Sequence, residues 1–320
     1  MSGEKNQINF GAGKFGDETT FFKMTFLGMV MFLSLIIGLG LIEAIGAWKG
    51  IDNQAALKSL NAESPANIRN FIRTNLLINH LTTFIIPAIA FSYFFYKSKW
   101  TSYLHIYNKP NITNLFLGVV IILAAFPLAQ FALWLNMKIP LPAALIETET
   151  QLAEMIGNLL IVKEPYELYF NLFVIAVIPA IGEEFIFRGI IQKKLVEIFQ
   201  NYHLGILVAA IIFSAFHMQF QGFLPRVVLG AILGYLFVWS GNLWVPIFAH
   251  FANNAFQIVG QYFYQLGKIE YDFNDAIVDV NWGMTIVSAI IIIMLGRLMI
   301  INNQNQSINQ NQNVNQNQKL

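Results

Sequence analysis

The chain has 320 residues, of which 56% are hydrophobic and only 12% charged, where soluble domains carry roughly a quarter charged residues. A formal charge of +1 gives no clustered basic surface, so no nucleic-acid partner is expected. The absence of cysteine excludes disulfides, thiolate metal sites and cysteine nucleophiles.

The polar stretch 1–20 precedes an apolar run too long for a signal-peptide core and followed by no small-residue cleavage site, so it is expected to remain uncleaved. A membrane span needs about 20 mostly apolar residues. On that rule spans fall at residues 21–46, 76–96, 115–135, 169–188, 204–220, 227–240, 243–263 and 284–301. The expected fold is all-α, a polytopic membrane helical bundle of about eight transmembrane helices in a lipid bilayer. Residues 21–168 supply the N-terminal helices and loops, 169–263 a core, and 264–301 an external loop with the last helix. Pro127, Pro179 and Pro246 lie in or near spans and predict irregular helices, which often surround an internal cavity. The tail 302–320 is nearly all Asn and Gln; it cannot bury apolar area and reads as disordered.

Lys and Arg in short loops mark the cytoplasmic side. Lys97, Lys99 and Lys109 after the second span, with Lys193 and Lys194 after the fourth, place both termini in the cytoplasm. Glu147, Glu149 and Glu154 after the third span, and Glu270, Asp272, Asp275 and Asp279 before the last, read as external. The segment 49–73 resists this scheme, because it would be external yet carries Lys49, Lys58, Arg69 and Arg73. The expected location is the plasma membrane of a bacterium.

Three polar insertions interrupt apolar helices of the C-terminal half. They are Gly182-Glu183-Glu184-Phe185-Ile186-Phe187-Arg188-Gly189, Phe213-Ser214-Ala215-Phe216-His217 and His250-Phe251-Ala252-Asn253-Asn254. A lone ionised carboxylate in hydrocarbon is costly, so such groups face a bundle interior where a partner or substrate stabilises them. Helical spacing puts Glu184 with Arg188, and His250 with Asn254, on one face at i and i+4. Three helices can thus point Glu, His and Asn groups into one cavity. That set permits water activation: a carboxylate accepts a proton from water, an imidazole positions it, and His or Asn donors stabilise an oxyanion. Alternatively, Glu183, His217 and His250 are ligands of a zinc ion with an open water position. The residues leave both routes open.

These residues resemble the intramembrane CAAX-processing proteases of type II, also called the CPBP or Abi family. Its signatures E-E-x-x-x-R, F-x-x-x-H and H-x-x-x-N are met in order by Glu183, Glu184 and Arg188, by Phe213 and His217, and by His250 and Asn254. The resemblance covers about residues 169–256 and makes 169–263 the CPBP-like catalytic core. It implies an intramembrane endopeptidase in which Glu183 and His217 activate water, His250 and Asn254 form the oxyanion site, and Glu184 with Arg188 orders the first element. The substrate implied is a peptide or protein, cut near the cytoplasmic side. The family is described both as metalloprotease and as glutamate-dependent. Its eukaryotic relatives trim prenylated proteins, whereas other members process peptides or confer bacteriocin immunity.

Plainer readings stand beside these. Glu184 and Arg188 form a structural ion pair even within an enzyme, His250 and Asn254 are interhelical glue, and Phe213 only packs. His80, His105 and His203 fall at interface or loop positions outside the set, and Glu43 in the first span has no evident partner. Gly230 and Gly234 form a small-xxx-small pattern that packs the monomer. The rival function is a non-catalytic immunity or adaptor protein, or a proton-coupled transporter.

Overall fold

The computed structural model describes residues 18–272 and 280–317. The polar segment 1–17, Asp275 and Asp279 lie outside them. Every regular element among the described residues is helical: α1 (Glu18–Lys49), α2 (Ala66–Tyr103), α3 (Ile112–Met137), α4 (Ala143–Leu160), α5 (Pro165–Phe199), α6 (Tyr202–Phe216), α7 (Phe223–Ser240), α8 (Trp244–Gln265) and α9 (Trp282–Asn317), with a short helix Asn53–Lys58. The protein is an all-α membrane bundle. Six of these helices, α1, α2, α3, α5, α7 and α9, are long and apolar enough to cross a membrane. Of the eight expected, α6 has only 15 residues and α8 spends its length on His250, Asn253, Asn254, Gln257 and Gln261.

Helix α5 is the axis of the fold. Its apolar window is 67% buried, against 17% for α1, which shows Phe32, Ile36 and Ile37 to the outside. Around α5 a core of Leu27, Phe91, Phe187, Phe213, Phe237 and Ile247 draws on α1, α2, α6, α7 and α8. The chain alternates between two faces. On one, the backbone N–H of Leu243 donates to His105 O at 3.1 Å and Asn242 donates to Asn108 O at 2.8 Å. On the other, Asn158 donates to Leu60 O, and Glu149 of α4 accepts from the turn after α6. The turn following His217 therefore shares a face with acidic α4. Counting lysines puts that face outside, so the cytoplasmic cut and the cytoplasmic termini expected from the sequence pull in opposite directions.

Two expectations change. Helix α2 starts at Ala66, ten residues ahead of the expected span, because Arg69 and Arg73 are not loop charges. Both are buried and paired to Glu167 of α5 at 2.7 and 3.0 Å. This accounts for the segment that resisted the charge rule: those two cations never face water. At the other end, α9 continues as helix to Asn317 through the stretch expected to be disordered. Once a span has nucleated a helix, each added residue needs only propagation, which lets the helix run on although Asn, unlike Gln, is a poor helix former.

Pro179 and Pro127 mark irregularities as expected, whereas Pro246 lies in the first turn of α8, where a missing amide hydrogen is tolerated. Three π-turns interrupt the helices, Leu81–Ile85 in α2 and Leu172–Val177 and Phe187–Gln192 in α5. The last two bracket the Glu183–Glu184 pair, and such π-turns are frequent at functional sites. Gly230 and Gly234 pack within the chain. Their carbonyls accept from Arg188 (2.8 Å) and Gln192 (3.2 Å), and a Cβ on Gly234 would stand 2.6 Å from Gln192 Oε1.

Candidate active site

The middle of α5 carries the first motif, and all its charges are buried: Glu183, Glu184 and Arg188 are 5%, 0% and 1% exposed. Helical spacing sets Arg188 one turn beyond Glu184, and its guanidinium donates to Glu184 Oε1 at 2.6 Å. The second arm donates to Gly230 O of α7, and the guanidinium plane lies 4.7 Å from the Phe213 ring centroid. Phe213 also meets the rings of His217 and His250 edge-on, at 5.0 and 6.1 Å. It is the aromatic wall on which the three motifs converge, a packing role as expected.

His250 of α8 stands between the two glutamates. Its Nδ1 lies 2.9 Å from Glu184 Oε1 and its Nε2 3.8 Å from Glu183 Oε2. Because Glu184 Oε1 is an acceptor already engaged by Arg188, the consistent tautomer has Nδ1–H donating to Glu184, which turns the Nε2 lone pair toward Glu183. Neighbouring carboxylates thus have different surroundings. Glu184 is tied to a cation and an imidazole, while Glu183 Oε2 is buried with no hydrogen-bond partner among the described residues.

Asn254, one turn after His250, donates to Ile175 O at 3.3 Å. The cause is local. Pro179 has no amide hydrogen to give the carbonyl four residues earlier, and Asn254 supplies a donor there instead. Asn253 donates to Asn254 Oδ1 at 3.2 Å and orients the amide. His217 caps the end of α6, and its Nδ1 lies 2.9 Å from Phe213 O, which leaves Nε2 as its free ring nitrogen. The chain therefore brings Glu184, Arg188 and His250 into one bonded cluster, with Glu183 3.8 Å from His250 Nε2. His217 joins it through Phe213, and Asn254 through the α5 backbone.

The zinc alternative finds no support in this arrangement. Among the described residues no three His, Asp or Glu side chains are disposed to hold a metal ion. A hydrogen-bonded Nδ1 on His250 and His217 would leave Nε2 for a metal, but Glu183 and His250 are not brought together with His217 as a ligand set. No step below runs through a metal.

His80 was left outside the set by sequence reasoning, and it lies close to it. It is within electrostatic reach of His217 and His250, it stacks on Phe84 at 5.7 Å, and its Nδ1 is buried without a partner among the described residues. The expected span began at residue 76, which made His80 look interfacial; α2 begins at Ala66, which sets His80 deep in the helix. His105 and His203 keep their plainer roles, Nδ1 lying 3.3 Å from Gly241 O and 2.7 Å from the Tyr235 hydroxyl. Glu43 is exposed on α1 and does not line the cluster. A cavity of about 500 Å³ beside Phe126, Gln130, Tyr264 and Thr285 shares no residue with it.

Comparison with known proteins agrees with the motif reading. Residues 165–256 match the family described as type II CAAX prenyl endopeptidase Rce1-like. Over 80 residues, 24% of this chain and 38% of the relative, the sequence is 34% identical to the uncharacterized protein YpbD of Bacillus subtilis. Over 86 residues, 27% of this chain and 35% of the relative, it is 33% identical to YdiL of the same organism, provisionally described as a membrane peptidase. The chain thus spans little more than a third of the length of the curated relatives it matches. No solved structure matches.

Proposed function

We propose that this protein is an intramembrane endopeptidase of the CAAX type, hydrolysing a peptide bond in a peptide or membrane-associated protein with water activated by Glu183 and His217. The observation that carries the reading is the pair of buried, adjacent carboxylates with unlike partners. A structural ion pair needs Glu184 and Arg188 only; it does not need Glu183 beside them, buried with its Oε2 hydrogen-bonded to none of the described residues, at a like-charge and desolvation cost.

In this mechanism Glu183 Oε2 accepts a proton from water as the hydroxide oxygen bonds the substrate carbonyl carbon, and His217 Nε2 orients that water. The carbonyl oxygen takes the negative charge, which a second N–H of Asn254 stabilises, joined by His250 when its Nε2 is protonated as well as its Nδ1. Collapse breaks the C–N bond, and Glu183 passes its proton to the leaving amine. Glu184, paired to Arg188, accepts from His250 Nδ1–H, which orients the ring and suits its doubly protonated form, and gives no proton. The bilayer location follows from the helices. The lysine count favours a plasma-membrane orientation with both termini cytoplasmic, which sets His217 toward the opposite face.

The test is cleavage of a peptide library by purified, detergent-solubilised protein beside its Glu183→Gln variant, with and without a chelator. Loss of cleavage in the variant, by about 100-fold or more, is the expected result. Equal cleavage by both proteins overturns the mechanism, and chelator sensitivity of the wild type would restore the metal route.

A further inference from the structure

The turn that follows His217 is held from α3 and α4 as well as from α7, one of the two helices it joins. Met218, directly after His217, takes a left-handed backbone conformation (φ 54°), which non-glycine residues adopt at a cost and keep only where surroundings enforce it. Those surroundings are specific. Glu149 of α4 is buried, and its Oε1 and Oε2 accept from the backbone N–H of Phe220 (2.5 Å) and Gln221 (2.9 Å). Asn136 of α3 donates to Phe220 O at 2.7 Å and accepts from Leu224 N–H at 2.8 Å. Arg226 donates to the Gln219 carbonyl and, at 3.0 Å, to its side-chain oxygen.

Glu149 differs from the other two because α4 is otherwise mostly exposed, and Glu147 and Glu154 on the same helix face outward. A buried carboxylate is tolerated only where donors fill its lone pairs. Two successive amides do that here, and bonds to a carboxylate are roughly twice as strong as neutral ones. We propose that Glu149 is a positioning residue for His217: by clamping the amides of Phe220 and Gln221 it enforces the left-handed turn at Met218 and so sets the direction in which the His217 imidazole leaves the end of α6. The assignment rests on the proposed peptidase reading for its consequence in catalysis, yet its structural half is testable alone.

Two arms separate them. In the first, the full-length protein is labelled at its five histidines and the ring signals are compared between wild type, Glu149→Gln and Glu149→Asp, alongside hydrogen exchange of residues 217–222. Glu149→Gln is expected to shift the His217 ring signal, leave that of His203 in place, and speed amide exchange at Phe220 and Gln221 about tenfold. Glu149→Asp, which keeps both acceptors, moves the signal less, and it serves as the readout if the Gln variant does not fold. An unmoved His217 signal in the variant that folds overturns the proposal.

The second arm is a double-mutant cycle on cleavage. Glu149→Gln is expected to lower kcat about tenfold with KM within about twofold, and to cost nothing further on a His217→Ala background. An equal loss on both backgrounds shows that Glu149 acts elsewhere and also overturns it. If Glu183→Gln cleaves like wild type, the peptidase reading fails by itself and the ring signals decide the positioning role.

Discussion

Helix α5 carries two buried ionic clusters about four turns apart, and they are built in opposite ways. At its start Glu167 takes both Arg69 and Arg73, together with the backbone N–H groups of Lys163 (2.8 Å) and Glu164 (3.2 Å). The two arginines spend their remaining donors on Ser64 O, Asn70, Asn171 and the carbonyls of Leu159 and Ile161. At its middle, Glu184 and Arg188 pair as tightly, yet Glu183 Oε2 and Glu184 Oε2 have no hydrogen-bond partner among the described residues. A saturated cluster joins helices, here α2, α4 and α5. One that keeps unpaired oxygen atoms inside a bundle holds interaction capacity that folding does not use, and that is where chemistry belongs.

Making the same change in both clusters sharpens this contrast most. Glu183→Gln is expected to reduce cleavage by about 10²–10⁴-fold while leaving the melting temperature unchanged or slightly raised, since it removes one of two adjacent carboxylates. Glu167→Gln should do the reverse. It leaves two buried guanidiniums without their counter-charge, a loss of about 3–5 kcal/mol, seen as a lowered midpoint of thermal unfolding, with cleavage per folded molecule retained. If Glu167→Gln melts like wild type, the first cluster is not the structural one and the comparison collapses.

Glu184→Gln is expected to fall between them, because Glu184 serves both purposes. It strands Arg188 and releases His250 Nδ1, so both stability and kcat drop, and a melting curve beside a kinetic assay reads the two losses separately. Smaller again is Asn254→Ala. With Pro179 unable to donate, the Ile175 carbonyl would lose its Asn254 donor, a cost of about 1–3 kcal/mol in stability in addition to any lost oxyanion donor. Asn254→Asp, which cannot donate, is the control for the hydrogen bond as against the side-chain volume. The smallest effect expected is at Gly234→Ala, where the new methyl would press on Gln192 and Ile206 at 2.6 and 2.9 Å. Overpacking there costs about 1–3 kcal/mol unless Gln192 swings away, and thermal unfolding measures it with cleavage per folded molecule unchanged.

The site motifs were legible because their signal is local. A Glu-Glu-x-x-x-Arg element inside an apolar run announces itself by its cost in hydrocarbon, and i, i+4 spacing already places Glu184 beside Arg188 and His250 beside Asn254. Arg69 and Arg73 misled for the same reason. In a window of neighbours they look like loop charges, and their neutralising partner Glu167 lies about a hundred residues away. The error then carried over to His80, whose depth depends on where α2 begins. The tail shows the converse: composition alone argued for disorder, while continuity with the apolar span of α9 carries the helix on.

What the sequence determined by itself was the class of molecule, an all-helical membrane bundle, the approximate spans, and three polar elements of one chemistry matching one family over residues 165–256. Those properties follow from hydropathy and helical period, which act over one or two turns. Only the tertiary structure decided which glutamate holds His250, that Asn254 answers a carbonyl opened by Pro179, that His80 stands near the cluster, and that Glu149 reaches across to the turn behind His217. Each is a pairing between helices, selected by the demand that polar groups buried away from water find partners wherever packing places them.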